Sequence, residues 1–397
     1  MSNRRQFLAA STTLPFLSMG AFAAEKKTYT VGVLGHTGRG DFGHAMDSFW
    51  KTVPETRIIS VSDPVAEGLT KAVKKLGLKP EQGFASHEEL LEKTKPDIVS
   101  VALRHTDQHH AMIMAAIKAG AKGIYVEKPF CRDLAEADDI VAACEASRTK
   151  LAIAHRNRYH PVLPIVKKLV EDGAIGKWLE VRLRGKEDGR GGSQDMWVLG
   201  SHLLSLANYF TGAPTSCSAS IFQDKRPVTA ADVKDGAEGL GPLAGNEVHA
   251  RYTTESDIPV FFDSIQEAGS REAGFGLQLI GTEGIIDLRA DRNPLAHILK
   301  GSPFHPDKEV RKWEPITTGG VGKPDTDPGI GKFVMSHQAA AYDLFECIEQ
   351  DRAPLCNEKD GRIILEMILG AFESHSQGGK SVSIPLENRT NALTRLK

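Results

Sequence analysis

The sequence predicts an α/β protein of two domains: a parallel sheet wrapped by helices, then a domain of mostly antiparallel strands. Three observations carry this expectation. A chain of 397 residues is long enough to favour two cores over one. From Thr28 to His155, short β-branched runs alternate with amphipathic segments, the rhythm of βαβ units. Beyond His155, strand-like runs follow one another without helices between them, as in a sheet with one exposed face.

In chain order, the first domain (28–155) offers the strands "YTVGVLG", "RIISVSD", "DIVSVAL", "GIYVEKP" and "KLAIAH". Between them lie helical patterns such as "HHAMIMAAIKAGA" and "DLAEADDIVAACEAS". Two helix starts show capping-box spacing, Ser86 before Glu89 and Asp133 before Glu136. In the second domain (156–397), a helical "PVLPIVKKLVEDGAIG" leads into the strand "KWLEVRLRG", where Val181 and Leu183 alternate with Glu180 and Arg182. The strands "NEVHARYTT", "PVFFDSI", "FGLQLIG" and "GIIDLRA" follow, and two helical patterns close the chain. Gly- and Pro-rich stretches near 234–245 and 318–331 read as long surface loops.

The strand "YTVGVLG" runs into "GHTGRGDFG", and a strand, a glycine cluster and a helix in that order make a phosphate cradle. Two registers compete. Gly38, Gly40 and Gly43 fit the glycine fingerprint literally but start beyond the strand; Gly35, Thr37 and Gly40 start at the strand end with Thr in the middle position. The second is preferred, because the first glycine must turn the chain out of the strand. Asp63 ends the second strand, where a carboxylate accepts from a ribose diol and repels a 2′-phosphate, favouring NAD over NADP. Its structural alternative is a cap for the helix that follows in "SDPVAEG".

Residues 1–24 carry Arg4 and Arg5, an apolar run from Phe7 to Ala23 and a small-residue end, the order of a cleaved twin-arginine signal. The expected location is therefore periplasmic or otherwise exported. That route carries folded proteins, so the dinucleotide is expected to be bound tightly before export. With 49 basic and 51 acidic residues, no charge field recruits nucleic acid or an anionic membrane. The five cysteines and the histidines show no metal-ligand spacing, and no metal is expected.

At "YVEKPF" the sequence resembles the Gfo/Idh/MocA oxidoreductases, the glucose–fructose oxidoreductase and inositol dehydrogenase relatives, over nearly the whole mature chain. The resemblance implies a Rossmann domain plus a C-terminal α/β domain with an open, mostly antiparallel sheet that commonly packs against another subunit. It places Glu127 and Lys128 beside cofactor and substrate. "ALRHTDQHH" stands where the family has a T-P-N-x-x-H turn, which puts His105 with Gly35, Thr37, Gly38, Arg39, Gly40 and Asp63 among cofactor-binding residues and His110 at the matching histidine. "RNRYHP" places Arg158 and Tyr159 on the substrate. In "MWVLGSHLLSL", Gly200 and His202 match the family's D-x-G-x-H stretch, but Val198 stands in the aspartate position and Ser205 where an acid often follows.

Hydride transfer from a sugar carbon requires removal of a hydroxyl proton, and His202 with Lys128 suits that task. Glu187, Asp188 and Asp195 in "GKEDGRGGSQDMW" are the expected replacements for the missing aspartate, their alternative being a solvated loop. Three functions compete: an exported NAD(P)-dependent oxidoreductase on a sugar, polyol or related carbohydrate; a redox-neutral NAD-dependent glycoside hydrolase; and a non-catalytic nucleotide- or sugar-binding protein.

Overall fold

The structure, a computed structural model, describes residues 27–268, 275–306 and 310–396; the proposed signal lies outside them. Strands β1 (Tyr29–Leu34), β2 (Thr56–Ser62), β3 (Gly83–Phe84), β4 (Ile98–Val101), β5 (Gly123–Val126) and β6 (Lys150–Ile153) form a parallel sheet in the order β3-β2-β1-β4-β5-β6. Its central strands are apolar and buried on both faces, as a doubly covered parallel sheet requires. Helices α1 (Ala66–Leu76), α2 (His87–Thr94), α3 (His109–Lys118) and α4 (Leu134–Ser147) make the crossovers. Both expected caps form: the Ser86 hydroxyl accepts from the amides of Glu88 and Glu89, and the Asp133 carboxylate from that of Glu136.

One expected helix does not form. After the glycine loop the chain makes two 3-10 turns, Gly43–Ala45 and Phe49–Thr52, instead of an α-helix. Asp41, His44 and Ala45 all take positive φ, and the Gly43 amide is tied to the Ala102 carbonyl at the end of β4. Met46, Phe49, Trp50 and Val53 are nevertheless buried, so the apolar periodicity is satisfied by short turns.

In the second domain, α5 (Val162–Glu171) precedes β7 (Trp178–Arg184), α6 (Gly192–Val198) and α7 (Gly200–Thr211) precede β8 (Pro214–Gln223), and an eleven-stranded sheet is built around them. Its pairs are antiparallel except β7 with Val260–Ile265. The helix Glu358–Ser376, capped by Asn357, packs on β8 and on α4 and α7, joining the domains. The 234–245 stretch is not a free loop: Lys234–Gly236 pairs with Gly241–Leu243, and Thr106 Oγ1 donates to the Gly239 carbonyl at 3.0 Å. The other stretch likewise holds a short strand, Gly320–Val321, and ends in the helix Ile330–Met335.

Candidate active site

Every first-domain residue of the site sits at the carboxyl end of a strand, the edge where open α/β sheets bind ligands. The loop after β1 supplies 35–44, β4 leads to Arg104 and His105, β5 to Glu127 and Lys128, and β6 to His155 and Arg156. A cavity of about 480 Å³ lies there, lined among others by His44, Glu127, Lys128, Arg156, Val198, His202 and His337. A second, of about 280 Å³, lies between the ends of β1, β2 and β4, lined by Gly35, His36, Ser62, Pro64, His87 and Asp107.

Lys128 and His202, predicted as partners from separate motifs, line the same cavity and are both buried. Lys128 Nζ donates to the Val198 carbonyl at 3.2 Å. The residue in the family's aspartate position thus still holds the lysine, through its backbone oxygen at the end of α6. Burial pulls the Lys128 ammonium below its ordinary pKa despite the neighbouring Glu127. Burial also drives the His202 imidazole well below 6.5, and the Lys128 charge adds to the shift. Glu127 Oε2 meets His44 Nδ1 at 2.7 Å, and Glu127 Oε1 accepts the Lys128 amide. Burial raises the Glu127 carboxyl, but the His44 hydrogen bond and charge outweigh it, leaving its pKa at about 2.

The acidic replacements expected for Val198 are not where His202 needs them. None of Glu187, Asp188 and Asp195 lines the cavity. Asp195 Oδ2 accepts from Ser264 Oγ at 2.6 Å and from the Glu187 amide. Glu187 receives Arg184 and the Ile265 amide, and Asp188 is gripped by Arg190. The three carboxylates brace the loop between β7 and α6, and that loop turns Lys186 and Arg190 toward the cavity instead.

His202 pairs with another histidine. Its Nδ1 lies 3.3 Å from Nδ1 of His155, the rings nearly perpendicular. His155 is buried, and burial with the nearby His202 holds it well below 6.5, so neither ring is charged at neutral pH. Its sequence signal was its place immediately after β6, a strand-end position rather than a motif.

Arg158 and Tyr159 are also displaced from their expected role. Arg158 donates to the carbonyls of Ser205 and Leu355 at 2.7 Å each, and the Tyr159 hydroxyl to that of Ile153. The tight turn Arg156–Tyr159 buries these two and leaves Arg156 on the cavity. His110 is half-buried with its Nε2 3.5 Å from Asp139, while His109 is buried and bonded to the carbonyls of Leu103 and Phe130.

The preferred register of the glycine loop suits its packing. A Cβ on Gly35 would come within 2.1 Å of the Phe42 ring, and one on Gly40 within 2.6 Å of the Arg104 amide, with φ at +87°. Gly38 takes φ +82° with open space beside it. Thr37 donates its amide and hydroxyl to Asp63, whose Oδ1 also accepts the Val65 amide at 2.9 Å. Asp63 is fully buried, so its carboxylate braces the loop and caps the start of α1 rather than facing an open ribose site. No α-helix follows directly on the loop; positive charge comes from Arg39, in contact with Asp107, and from Arg104 on the larger cavity. Buried polar atoms without partners, Arg39 Nε, His105 Nδ1 and Asp107 Oδ1, lie on the loop after β1 and the turn after β4, with Asp107 lining the second cavity. Two cavities across the strand ends with unsatisfied polar atoms on the adjoining loops fit a dinucleotide.

Residues 29–155 match the family described as "Oxidoreductase family, NAD-binding Rossmann fold", GFO_IDH_MocA. The first domain matches an NAD-binding Rossmann domain of oxidoreductases. The chain is 27% identical over 263 residues to D-apiose dehydrogenase of Paraburkholderia graminis, covering 62% of this chain and 69% of that one. It is 25% identical over 344 residues to scyllo-inositol 2-dehydrogenase (NAD(+)) of Bacillus subtilis, covering 82% and 89%. Levoglucosan dehydrogenase, solved with NADH and levoglucosan, shares the fold at a TM-score of 0.69 and 18% identity, over 91% of this chain and all of that one. The chain therefore shares its two-domain fold with that dehydrogenase, and the cofactor class of the first domain is NAD. No described helix is long and apolar enough to cross a membrane, and no described cluster of His, Cys, Asp or Glu is placed to hold a metal.

Proposed function

We propose that this protein is an NAD-dependent dehydrogenase that oxidises or reduces a hydroxyl-bearing carbon of a sugar, polyol or related carbohydrate. The observation that carries this reading is the meeting of Lys128 and His202 in one buried cavity at the end of β5. The kinship to D-apiose and scyllo-inositol dehydrogenases supports the substrate class. When bound, the nicotinamide supplies the hydride acceptor or donor; the protein's task is the proton.

His202 stays neutral at physiological pH and can accept a hydroxyl proton. If its Nδ1 carries hydrogen and donates to Nδ1 of His155, its other nitrogen presents a lone pair to the substrate. His155 is then the positioning group that fixes the tautomer, a duty an aspartate performs elsewhere. Lys128, steered by the Val198 carbonyl, holds the reacting oxygen. The elimination route of a glycoside hydrolase loses its support here, because the carboxylates meant to assist it are committed to the loop between β7 and α6.

The test is to add a panel of free sugars, polyols and glycosides to purified protein with NAD or NADH, following 340 nm absorbance and product masses together. Absorbance change with a two-mass-unit change in one free sugar supports the reading; aglycone release without it refutes it. We further propose export by the twin-arginine route, with the cofactor loaded first, and self-association. Periplasmic protein should release near-stoichiometric NAD(H) on denaturation and run above monomer size; empty protein in the cytoplasm refutes the export proposal.

A further inference from the structure

Much of the cavity lining is cationic. Arg156 comes from the turn after β6, Lys186 and Arg190 from the loop between β7 and α6, and Arg289 and Arg292 from the end of the strand Gly284–Arg289 and the turn beyond it. Three separate segments thus converge five cations on one cavity of about 480 Å³. Two carboxylates share this wall, Glu238 and Asp291. Asp291 receives Arg156 at 3.3 Å and the Asn157 amide, so it is largely committed. Behind the wall, Asp188 is shared between Arg190 and Lys186, the latter at 3.8 Å, and Asp287 holds the Nε of Arg289.

Composition does not explain this concentration, since the chain as a whole carries a formal net charge of −2. Cations brought together in a partly enclosed site repel one another, and an anion relieves that repulsion. Guanidinium groups also offer paired donors matched to carboxylate and phosphate oxygens, and no acceptors for hydroxyl hydrogens. A site for neutral sugars alone would need more acceptors than this wall supplies. Arg104 lines the same cavity where it meets the β1 loop, and with Arg39 on that loop it is left to the dinucleotide phosphates.

We infer that the substrate carries an oxyanion: it is a sugar or polyol acid, or a sugar phosphate, of monosaccharide size, with the charged group on the arginine wall and a hydroxyl-bearing carbon toward Lys128 and His202. This rests on the dehydrogenase reading for what happens to the substrate, but not for how it is held.

The experiment is calorimetric titration of the full-length, NADH-saturated protein with gluconate, glucuronate, glucose 6-phosphate, glucose, myo-inositol and inorganic phosphate, at low and high salt. At least one acidic sugar should bind about tenfold or more tightly than its neutral counterpart, the scale of one charged hydrogen bond, and the advantage should shrink with salt. Carboxylate and phosphate arms tell the two oxyanions apart. Arg190→Met and Arg292→Met, from different segments, should each remove most of the preference while NADH still binds, which also reports an intact fold. Equal binding of glucose and the acids, no binding of the acids at millimolar concentration, or inorganic phosphate matching glucose 6-phosphate would overturn the inference. Selective binding of an acid that then gives no nicotinamide absorbance change when supplied with NAD sinks the dehydrogenase reading and leaves this one standing; turnover with NAD confined to neutral sugars does the reverse.

Discussion

His160 offers a quantitative check on the buried histidines around the site, in a place where no catalysis intervenes. It is 6% exposed, and its Nδ1 accepts the Val162 amide at 3.1 Å at the start of α5. Only the neutral ring can accept that bond, and a charged ring would sit at the positive end of a helix. Burial pushes its pKa down to about 4, against a small opposing pull from Asp325. Because the folded value lies below the unfolded one, the stability tied to the neutral ring is present above about pH 6.5 and is lost as pH falls toward 4. Between pH 7 and pH 4.5 that loss amounts to about 2 kcal/mol for this one group, from a fall of 6.5 to about 4. In His160→Asn, the amide oxygen can still accept from Val162 but does not titrate. The variant should lose on the order of 1–2 kcal/mol at pH 7 from imperfect packing. Its deficit should vanish or reverse at pH 4.5. Urea unfolding of both proteins at the two pH values reads the difference of differences, in which all shared titrations cancel. A wild-type-to-variant gap constant within about 0.5 kcal/mol, the scale of the extrapolation error, would refute the burial argument.

Three further outcomes are expected. Lys128→Met and His202→Gln should each lower turnover by roughly 10²–10⁴-fold with NADH still bound, whereas Glu187→Gln, Asp188→Asn and Asp195→Asn should act mainly on stability; steady-state kinetics beside fluorescence titration of NADH separates the two. His155→Phe should lower kcat by about tenfold with little change in KM, the scale of one orienting hydrogen bond, with His155→Asn recovering part of it; and in the unmutated enzyme kcat should hold as pH falls through 6.5, because burial keeps His202 neutral, so a protonation step near 6.5 would count against it as the base. Asp63→Asn should weaken NAD and NADP together, because the loop loses its Thr37 anchor; a gain for NADP alone in equilibrium titration would restore the ribose-discriminating role.

The parallel sheet was legible because its signals are local. β-branched runs, strand-end glycines and the Ser86 and Asp133 caps act within a few residues of where they are read. The helix expected after the glycine loop was misread for a related reason: Met46, Phe49, Trp50 and Val53 keep helical spacing, yet the pattern only reports which residues are buried. What breaks the helix is the positive φ of His44 and Ala45, in a segment whose Gly43 amide is tied to Ala102 beyond another strand. Arg158 and Tyr159 were misplaced because a single tight turn decides which of four consecutive side chains faces the cavity.

Val198 shows where motif reading stops and geometry takes over. Reading the motif as a line of side chains, the missing aspartate prompted a search along the chain for another acid, and three were found nearby. The fold does not replace the carboxylate with a carboxylate. In the proposed mechanism its two expected duties, holding the lysine and orienting the histidine, fall to groups of different kinds: the backbone oxygen of residue 198 itself and the imidazole of His155. The first is invisible to any side-chain motif, since every residue type carries it. The second comes from a strand end in the other domain, 47 residues earlier in the chain. Removing the aspartate also removes a negative charge from a cavity already crowded with cations. A neutral orienting group adds no further negative charge to that wall, which suits the anionic substrate inferred above. The loss of the acid and the arginine wall are in this sense two sides of one arrangement, and the binding titrations and the His155 variants bear on it from opposite ends.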